Sequence, residues 1–267
     1  MLDALKDNSA IAFEVSGKVA TVTLNRPDAA NGVDLEMGHG LMLAAIHCDE
    51  TPDIRAVILT GAGKMFCAGG DLKAFSDFGE ALPARLKELT AYLHAATSRF
   101  MRMNAPLIVA VNGTAAGAGF SLAVAGDLVL AAASAKFTMA YTAAGLSPDG
   151  SSSYFLPRLI GLRRTQELML TNRRLDAAAA LDWGLVTEIV PDEQLMPAAT
   201  ELARKIAEGP TQAHGVVKRL LIDSYSNGPE TQMELEARGI AAMAGTEDGR
   251  EGIAAFLAKR PPRFTGR

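Results

Sequence analysis

With 267 residues, 49% of them hydrophobic and 21% charged, the chain has the composition of a globular protein able to bury a substantial core. A net charge of −4 argues against a nucleic-acid-binding or anionic-membrane surface. No run approaches the roughly 20 apolar residues of a membrane span, and the first residues lack the basic-then-apolar pattern of a secretory signal, so a cytoplasmic protein is expected. The two cysteines, Cys48 and Cys67, form no C-x-x-C pair and read as reduced core thiols. Basic pairs at Arg163-Arg164, Arg173-Arg174 and Lys259-Arg260 are local features suited at most to a small anionic ligand.

In chain order, residues 11–15 and 19–24 alternate apolar and polar around Ser16-Gly17-Lys18, which predicts a β-hairpin. Helical apolar spacing follows over 34–49, then a continuous apolar strand over 56–60, the pattern of a sheet covered on both faces. A long helix is predicted over 82–103, ended by Asn104-Ala-Pro106, with buried strands at 107–111 and 128–132 and a short one at 137–141. The most apolar stretch, 115–125, is punctuated by glycine and reads as a buried helix. From Gly150 onward helices dominate: 154–160, 164–170, 176–183, 194–208, 211–224, 230–244 and 247–259, with only 186–190 extended. An alternating strand–helix core therefore precedes a helical C-terminal portion, and the Pro261-Pro262 tail is expected to be flexible.

Two glycine-rich segments carry the most chemical information: GAGKMFCAGGDL at 61–72 and NGTAAGAGF at 112–120. Each follows an apolar β-branched run and reads as strand, tight turn, helix start. Neither offers an obvious nucleophile or metal ligands. What each offers is main-chain N–H groups beside residues too small to block a ligand, and two such donors brought together would hold negative charge developing on an oxygen. Other motifs fail: neither glycine cluster completes a dinucleotide fingerprint, no G-K-[ST] phosphate loop exists, and GFSLA at 119–123 lacks the last glycine of a nucleophile elbow. The four histidines have no metal-ligand spacing. Asp149, in LSPDGSSSYFLPR at 146–158, reads either as a turn and helix cap or as a functional carboxylate. His94 reads as a satisfied or solvated helix residue or as a base, and Tyr141 as a packing residue.

At FCAGGDL (66–72) and NGTAAGAG (112–119) the chain resembles the two oxyanion-hole signatures of the enoyl-CoA hydratase/isomerase (crotonase) superfamily. LNRP at 24–27, ALDWGLV at 180–186 and GIAAFLAKR at 252–260 extend the resemblance over nearly the whole chain. It implies an α/β, crotonase-like (ClpP/crotonase) spiral of ββα units. An acyl-CoA-binding, catalytic core over residues 1–200 would precede a helical C-terminal region over 201–267 for oligomerisation and coenzyme cover, in trimers or dimers of trimers. It further implies a CoA thioester substrate, a place in fatty acid metabolism, and no metal or redox cofactor, coenzyme A being part of the substrate. The main-chain N–H groups of Gly70 and Ala118 would form the hole, Ala68 would lie beside the coenzyme, Lys73 would face its phosphates, and Phe256 and Lys259 would reach its nucleotide.

The resemblance also has a gap. Family hydratases carry two glutamates at the positions of Ser121 and Tyr141, and neither hydroxyl has a pKa suited to a general base near neutrality. Two-glutamate hydration is therefore not expected. The stretch around Asp149 resembles the Δ3,Δ2-enoyl-CoA isomerases, in which one carboxylate takes a proton from C2 and returns it at C4. LRRTQELMLTNRRL at 162–175 resembles instead 4-chlorobenzoyl-CoA dehalogenase, which would make Asp149 a nucleophile and His94 the base that activates water. That enzyme frames its ring with a tryptophan at the Tyr141 position, and the single tryptophan here, Trp183, lies elsewhere. The expectation is an isomerase, with a dehalogenase-like or hydrolytic enzyme and a non-catalytic acyl-CoA binder as alternatives.

Overall fold

The structure, a computed structural model, describes residues 2–267. After a short helix α1 (Leu2–Lys6), the hairpin β1 (Ile11–Ser16) and β2 (Val19–Leu24) pairs antiparallel with Ile11 opposite Leu24. Its turn needs the left-handed Gly17 (φ 60°). Helix α2 (Leu35–Glu50) starts where the Asp34 carboxylate accepts the Met37 N–H at 2.9 Å.

Three strand pairs follow, and they position the site. β3 (Ala56–Gly61) is followed by β4 (Met65–Cys67), α3 (Leu72–Ser76) and α4 (Leu82–Arg102). β5 (Leu107–Val111) leads to β6 (Thr114–Ala116) and α5 (Ala118–Val124), and β7 (Leu128–Ala132) leads to β8 (Lys136–Thr138) and α6 (Ser152–Thr171). The first strand of each pair enters a six-stranded sheet of order β1-β2-β3-β5-β7-β10, parallel from β2 onward; the last strand, β10, is Glu188–Val190. The second strands form a smaller sheet, β4-β6-β8-β9, in which β9 is Leu175–Asp176. This is a spiral of ββα turns. Because β3 and β5 run through the middle of the large sheet, they are apolar along their lengths.

Beyond α6 come α7 (Ala177–Asp182), α8 (Leu195–Ala207), α9 (Thr211–Asp223), α10 (Pro229–Ala244) and α11 (Glu247–Leu257). Helix α8 spans position 200 and packs on β3 and β5, so it closes the core. Lys218 of α9 is buried and donates to the carbonyls of Phe100 (2.8 Å) and Ala105 (3.1 Å) while pairing with Asp127 at 2.7 Å.

Several expectations are corrected. The flexible tail is tied down: Asp248 accepts the N–H groups of Thr265 (2.6 Å) and Gly266 (2.8 Å), and buried Arg55 donates to the Phe264 carbonyl at 3.2 Å. The strand expected over 137–141 stops at Thr138, since Ala140 takes a left-handed φ of 54° and turns the chain. Residues 115–116 belong to β6, so the buried helix begins at Ala118. The helices expected over 154–160 and 164–170 lie end to end in α6, separated at Gly161 by a non-helical backbone (φ 77°, ψ 157°).

Candidate active site

The turns after β4 and β6 lie side by side because those strands pair in parallel, Met65 with Thr114 and Cys67 with Ala115, with a register shift between. Only glycine fits where the turns cross. A Cβ on Gly119 would stand 2.4 Å from the Cys67 carbonyl oxygen, and one on Gly113 would stand 2.1 Å from that of Lys64. Buried Asn31 braces the first turn by donating to the carbonyls of Ala62 (2.9 Å) and Met65 (2.8 Å). Arg26 binds Asp71 at 2.9 Å. Burial pushes the Asp71 carboxyl up, but the Ala74 N–H and the Arg26 guanidinium outweigh it and hold the group below the usual carboxylate range.

At this crossing a cavity of about 310 Å³ opens, lined by Ala68, Gly70, Ala118, Tyr141 and Asp149 and walled by Val33, Leu72, Phe75, Leu86, Leu89, Leu93 and Leu146. The main-chain N–H groups of Gly70 and Ala118 donate to no acceptor among the described residues. Two unspent donors thus border one apolar cavity. Cys67 lies fully buried behind them, and burial pushes its thiol up to about 12, so it is no thiolate nucleophile.

Asp149 faces the donors from another segment, and its carboxylate does not cap α6. The cap position is Ser151, left-handed at φ 71° and without a side-chain capping bond. The Asp149 main chain is fixed instead, its carbonyl accepting the Ser152 hydroxyl at 3.0 Å and the next N–H, of Gly150, donating to His94 Nε2 at 3.2 Å. The carboxylate Oδ1 accepts the Tyr141 hydroxyl at 2.5 Å, and the Tyr141 oxygen lies 3.0 Å from Ser121 Oγ. Burial first, then the Asp149 charge, pushes the Tyr141 phenol well above its ordinary range, so Tyr141 is a neutral donor.

The expected site residues divide into two groups. Ala68, Gly70, Ala118, Tyr141 and Asp149 converge on the cavity, and Ser121 stands directly behind Tyr141. His94 is exposed and lines no part of the cavity, though it holds the turn that carries Asp149. Lys73 is exposed on α3 beside the lining residue Leu72, while Phe256, 83% exposed on α11, and Lys259 just beyond it are not among the lining residues. Sequence reasoning missed the α4 wall: Leu86, Leu89 and Leu93 at i, i+3, i+7 are legible as an apolar stripe, but the same stripe marks any helix on a core. It also missed Lys87, which with Asp149 supplies the charged groups of the lining.

Ser121 is fully buried, and a Cβ added to Gly150 would stand 2.8 Å from Ser121 Cβ. The turn carrying Asp149 therefore occupies the space a longer side chain at 121 would need. Ser121→Glu is expected to lose about 3 kcal/mol of stability through overpacking and carboxylate burial, read as a fall in the denaturant midpoint at unchanged slope; unchanged stability would mean that the turn yields freely.

A profile of the enoyl-CoA hydratase/isomerase family matches residues 14–267. The chain belongs to that family. It is 40% identical to the 1,2-epoxyphenylacetyl-CoA isomerase of Escherichia coli, over 96% of this chain and 98% of that protein. It is 33% identical to 4-chlorobenzoyl coenzyme A dehalogenase-2 of an Arthrobacter species, over 93% and 91%. Among solved structures, an enoyl-CoA hydratase from a Polaromonas species superposes with a TM-score of 0.91 at 33% identity, covering 95% of this chain and 99% of that one. These three relatives catalyse different reactions on related folds, so the family assigns the scaffold and leaves the reaction to the site. Among the described residues no helix is long and apolar enough to cross a membrane, and no group of three or more His, Cys, Asp or Glu is placed to hold a metal ion.

Proposed function

We propose that the protein is an acyl-CoA isomerase that moves a double bond from the 3- to the 2-position of an enoyl thioester. The observation that carries this reading is one carboxylate, Asp149, sharing an apolar cavity with two unspent main-chain donors, Gly70 and Ala118. Asp149 takes a proton from C2, and the electron pair runs through the C2–C1 bond onto the thioester oxygen to give a dienolate. The Gly70 and Ala118 N–H groups hold that oxygen. Return of the proton from Asp149 to C4 shifts the double bond to C2–C3 and restores the carbonyl, with no net gain or loss of atoms. Coenzyme A is the handle, running past Ala68 with Lys73 toward its phosphates and Phe256 and Lys259 toward its nucleotide. The family resemblance implies a trimer or dimer of trimers, and exposed Ile240, Ile253, Phe256 and Leu257 offer apolar surface to such an assembly.

The isomerase among the relatives acts on an epoxide, so it supports isomerisation of a CoA thioester in general, and the double-bond shift rests on the site. The dehalogenase alternative needs His94 as a base, and His94 Nε2 already accepts the Gly150 N–H. A neutral imidazole so engaged carries its proton on Nδ1 and has no second acceptor nitrogen. Two-glutamate hydration lacks both carboxylates.

The test is turnover of a 3-enoyl-CoA by the native enzyme, followed by the absorbance of the conjugated product, with deuterium at C2 of the substrate. The expected result is a 2-enoyl-CoA carrying part of that deuterium at C4. Conversion of a 4-halobenzoyl-CoA alone would install the dehalogenase reading, and CoA binding with no turnover of either would leave a binder.

A further inference from the structure

We propose that Tyr141, backed by Ser121, is a positioning residue that fixes one oxygen of Asp149 so that the other alone carries a proton across the cavity. This rests on the reading of Asp149 as the proton carrier. Three observations bear on it. The Tyr141 hydroxyl donates to Oδ1, whereas Oδ2 accepts from no group among the described residues. A phenol has one proton to give, so with that proton on Oδ1 the Ser121 hydroxyl faces the phenol oxygen as donor, 3.0 Å away, or turns to the Gly117 carbonyl at 3.4 Å. The main chain beneath the carboxylate is held on both sides, by His94 at Gly150 and by Ser152 at the Asp149 carbonyl.

The consequence is mechanical. A carboxylate on a fixed main chain still has its terminal torsion, which is broad and roughly two-fold. A hydrogen bond to one oxygen stops that torsion and leaves a single lone-pair-bearing atom facing the substrate. The carried proton then stays on that atom between C2 and C4, and it exchanges with water only as fast as water enters an apolar cavity. Burial and the neighbouring carboxylate keep the phenol protonated, so the clamp persists across the working pH range. Tyr141 is also the group that joins Asp149 to the oxyanion turn, since Ser121 lies on α5, the helix that begins with the donor Ala118.

The experiment uses Tyr141→Phe and Ser121→Ala in the full-length protein, with C2-deuterated 3-enoyl-CoA. In Tyr141→Phe, kcat is expected to fall about tenfold, the worth of one hydrogen bond to a charged group, with KM within twofold. The fraction of deuterium delivered to C4 is expected to drop by half or more, because the freed carboxylate turns and exchanges. Ser121→Ala should move both in the same direction and less. A variant that was merely destabilised would lose active fraction without changing the label partition, so an unchanged partition overturns the proposal. A second measurement is independent of turnover: the native protein should show a downfield hydroxyl proton resonance that is lost in Tyr141→Phe and moves upfield in Asp149→Asn, where a neutral amide oxygen replaces the charged acceptor. Its absence from the native protein overturns the clamp even if the enzyme isomerises. Its presence with no isomerisation of any enoyl thioester overturns the isomerase reading instead, and the proton-carrier role with it.

Discussion

Asp149→Asn is expected to lower kcat by about 10³-fold, within the range removed with a general acid–base group, while the affinity for a non-reacting acyl-CoA stays within a few-fold. Asparagine has nearly the same shape, and its amide oxygen can still accept the Tyr141 hydroxyl, so the cavity should keep its form. What it lacks is an oxygen able to take up and release a proton. Steady-state kinetics on a 3-enoyl-CoA and the dissociation constant of a saturated acyl-CoA together check this, and thermal unfolding confirms the fold. A kcat within tenfold of the native value would remove Asp149 from the proton path. A loss confined to KM would recast it as a binding group.

The substitution is informative because so little else in the cavity can do the work. The resemblance puts the hydratase glutamates at the positions of Ser121 and Tyr141, and here these residues form a hydroxyl chain that ends at the Asp149 carboxylate. The 2.8 Å approach of a Gly150 Cβ to Ser121 means that the turn delivering Asp149 and a long side chain at 121 compete for one volume. The short side chain at 121 and the turn that delivers Asp149 are therefore coupled.

How much of this was legible in the sequence depends on whether the cause was local. The hairpin, α2, β3, α4, β5, β7 and the C-terminal helices follow apolar periodicity and caps, and they stand within a few residues of where the pattern puts them. β4 and β6 were not visible, because strands of three residues next to glycine turns owe their pairing to each other rather than to β-branched content. The tail read as flexible because its anchors, Arg55 and Asp248, lie far away or one helix earlier in the chain. Asp149 was visible as a carboxylate in a turn, yet the same residues make an equally good cap. The structure separates the two by placing Ser151 at the cap and a tyrosine hydroxyl on the carboxylate. The role of His94 likewise depended on a partner 56 positions away.

The second large effect is expected at Gly117, which supplies no group that takes up or releases the proton. Its backbone, φ 50° and ψ −124°, has the geometry of the first central residue of a II′ turn, open in practice to glycine. The next N–H, of Ala118, is one of the two unspent donors, so the dihedrals of Gly117 aim it. A Cβ there would also stand 3.4 Å from the Gly69 Cα, just before the other donor. Gly117→Ala should therefore relax out of this conformation, turn the Ala118 N–H away and lower kcat/KM by about 10² to 10³, the worth of one oxyanion donor. Strain of about 1–3 kcal/mol should appear as lower stability, so the kinetics belong well below the melting temperature. Ala118→Gly is the opposite case: the donor is main chain and survives, and kcat/KM should stay within about tenfold, the residual loss reflecting the greater freedom of glycine. If Gly117→Ala keeps native turnover, the Ala118 N–H does not hold the oxygen. If Ala118→Gly is as damaging as Gly117→Ala, the alanine methyl matters to the acyl group, and the main-chain donor is not what the turn was built to present.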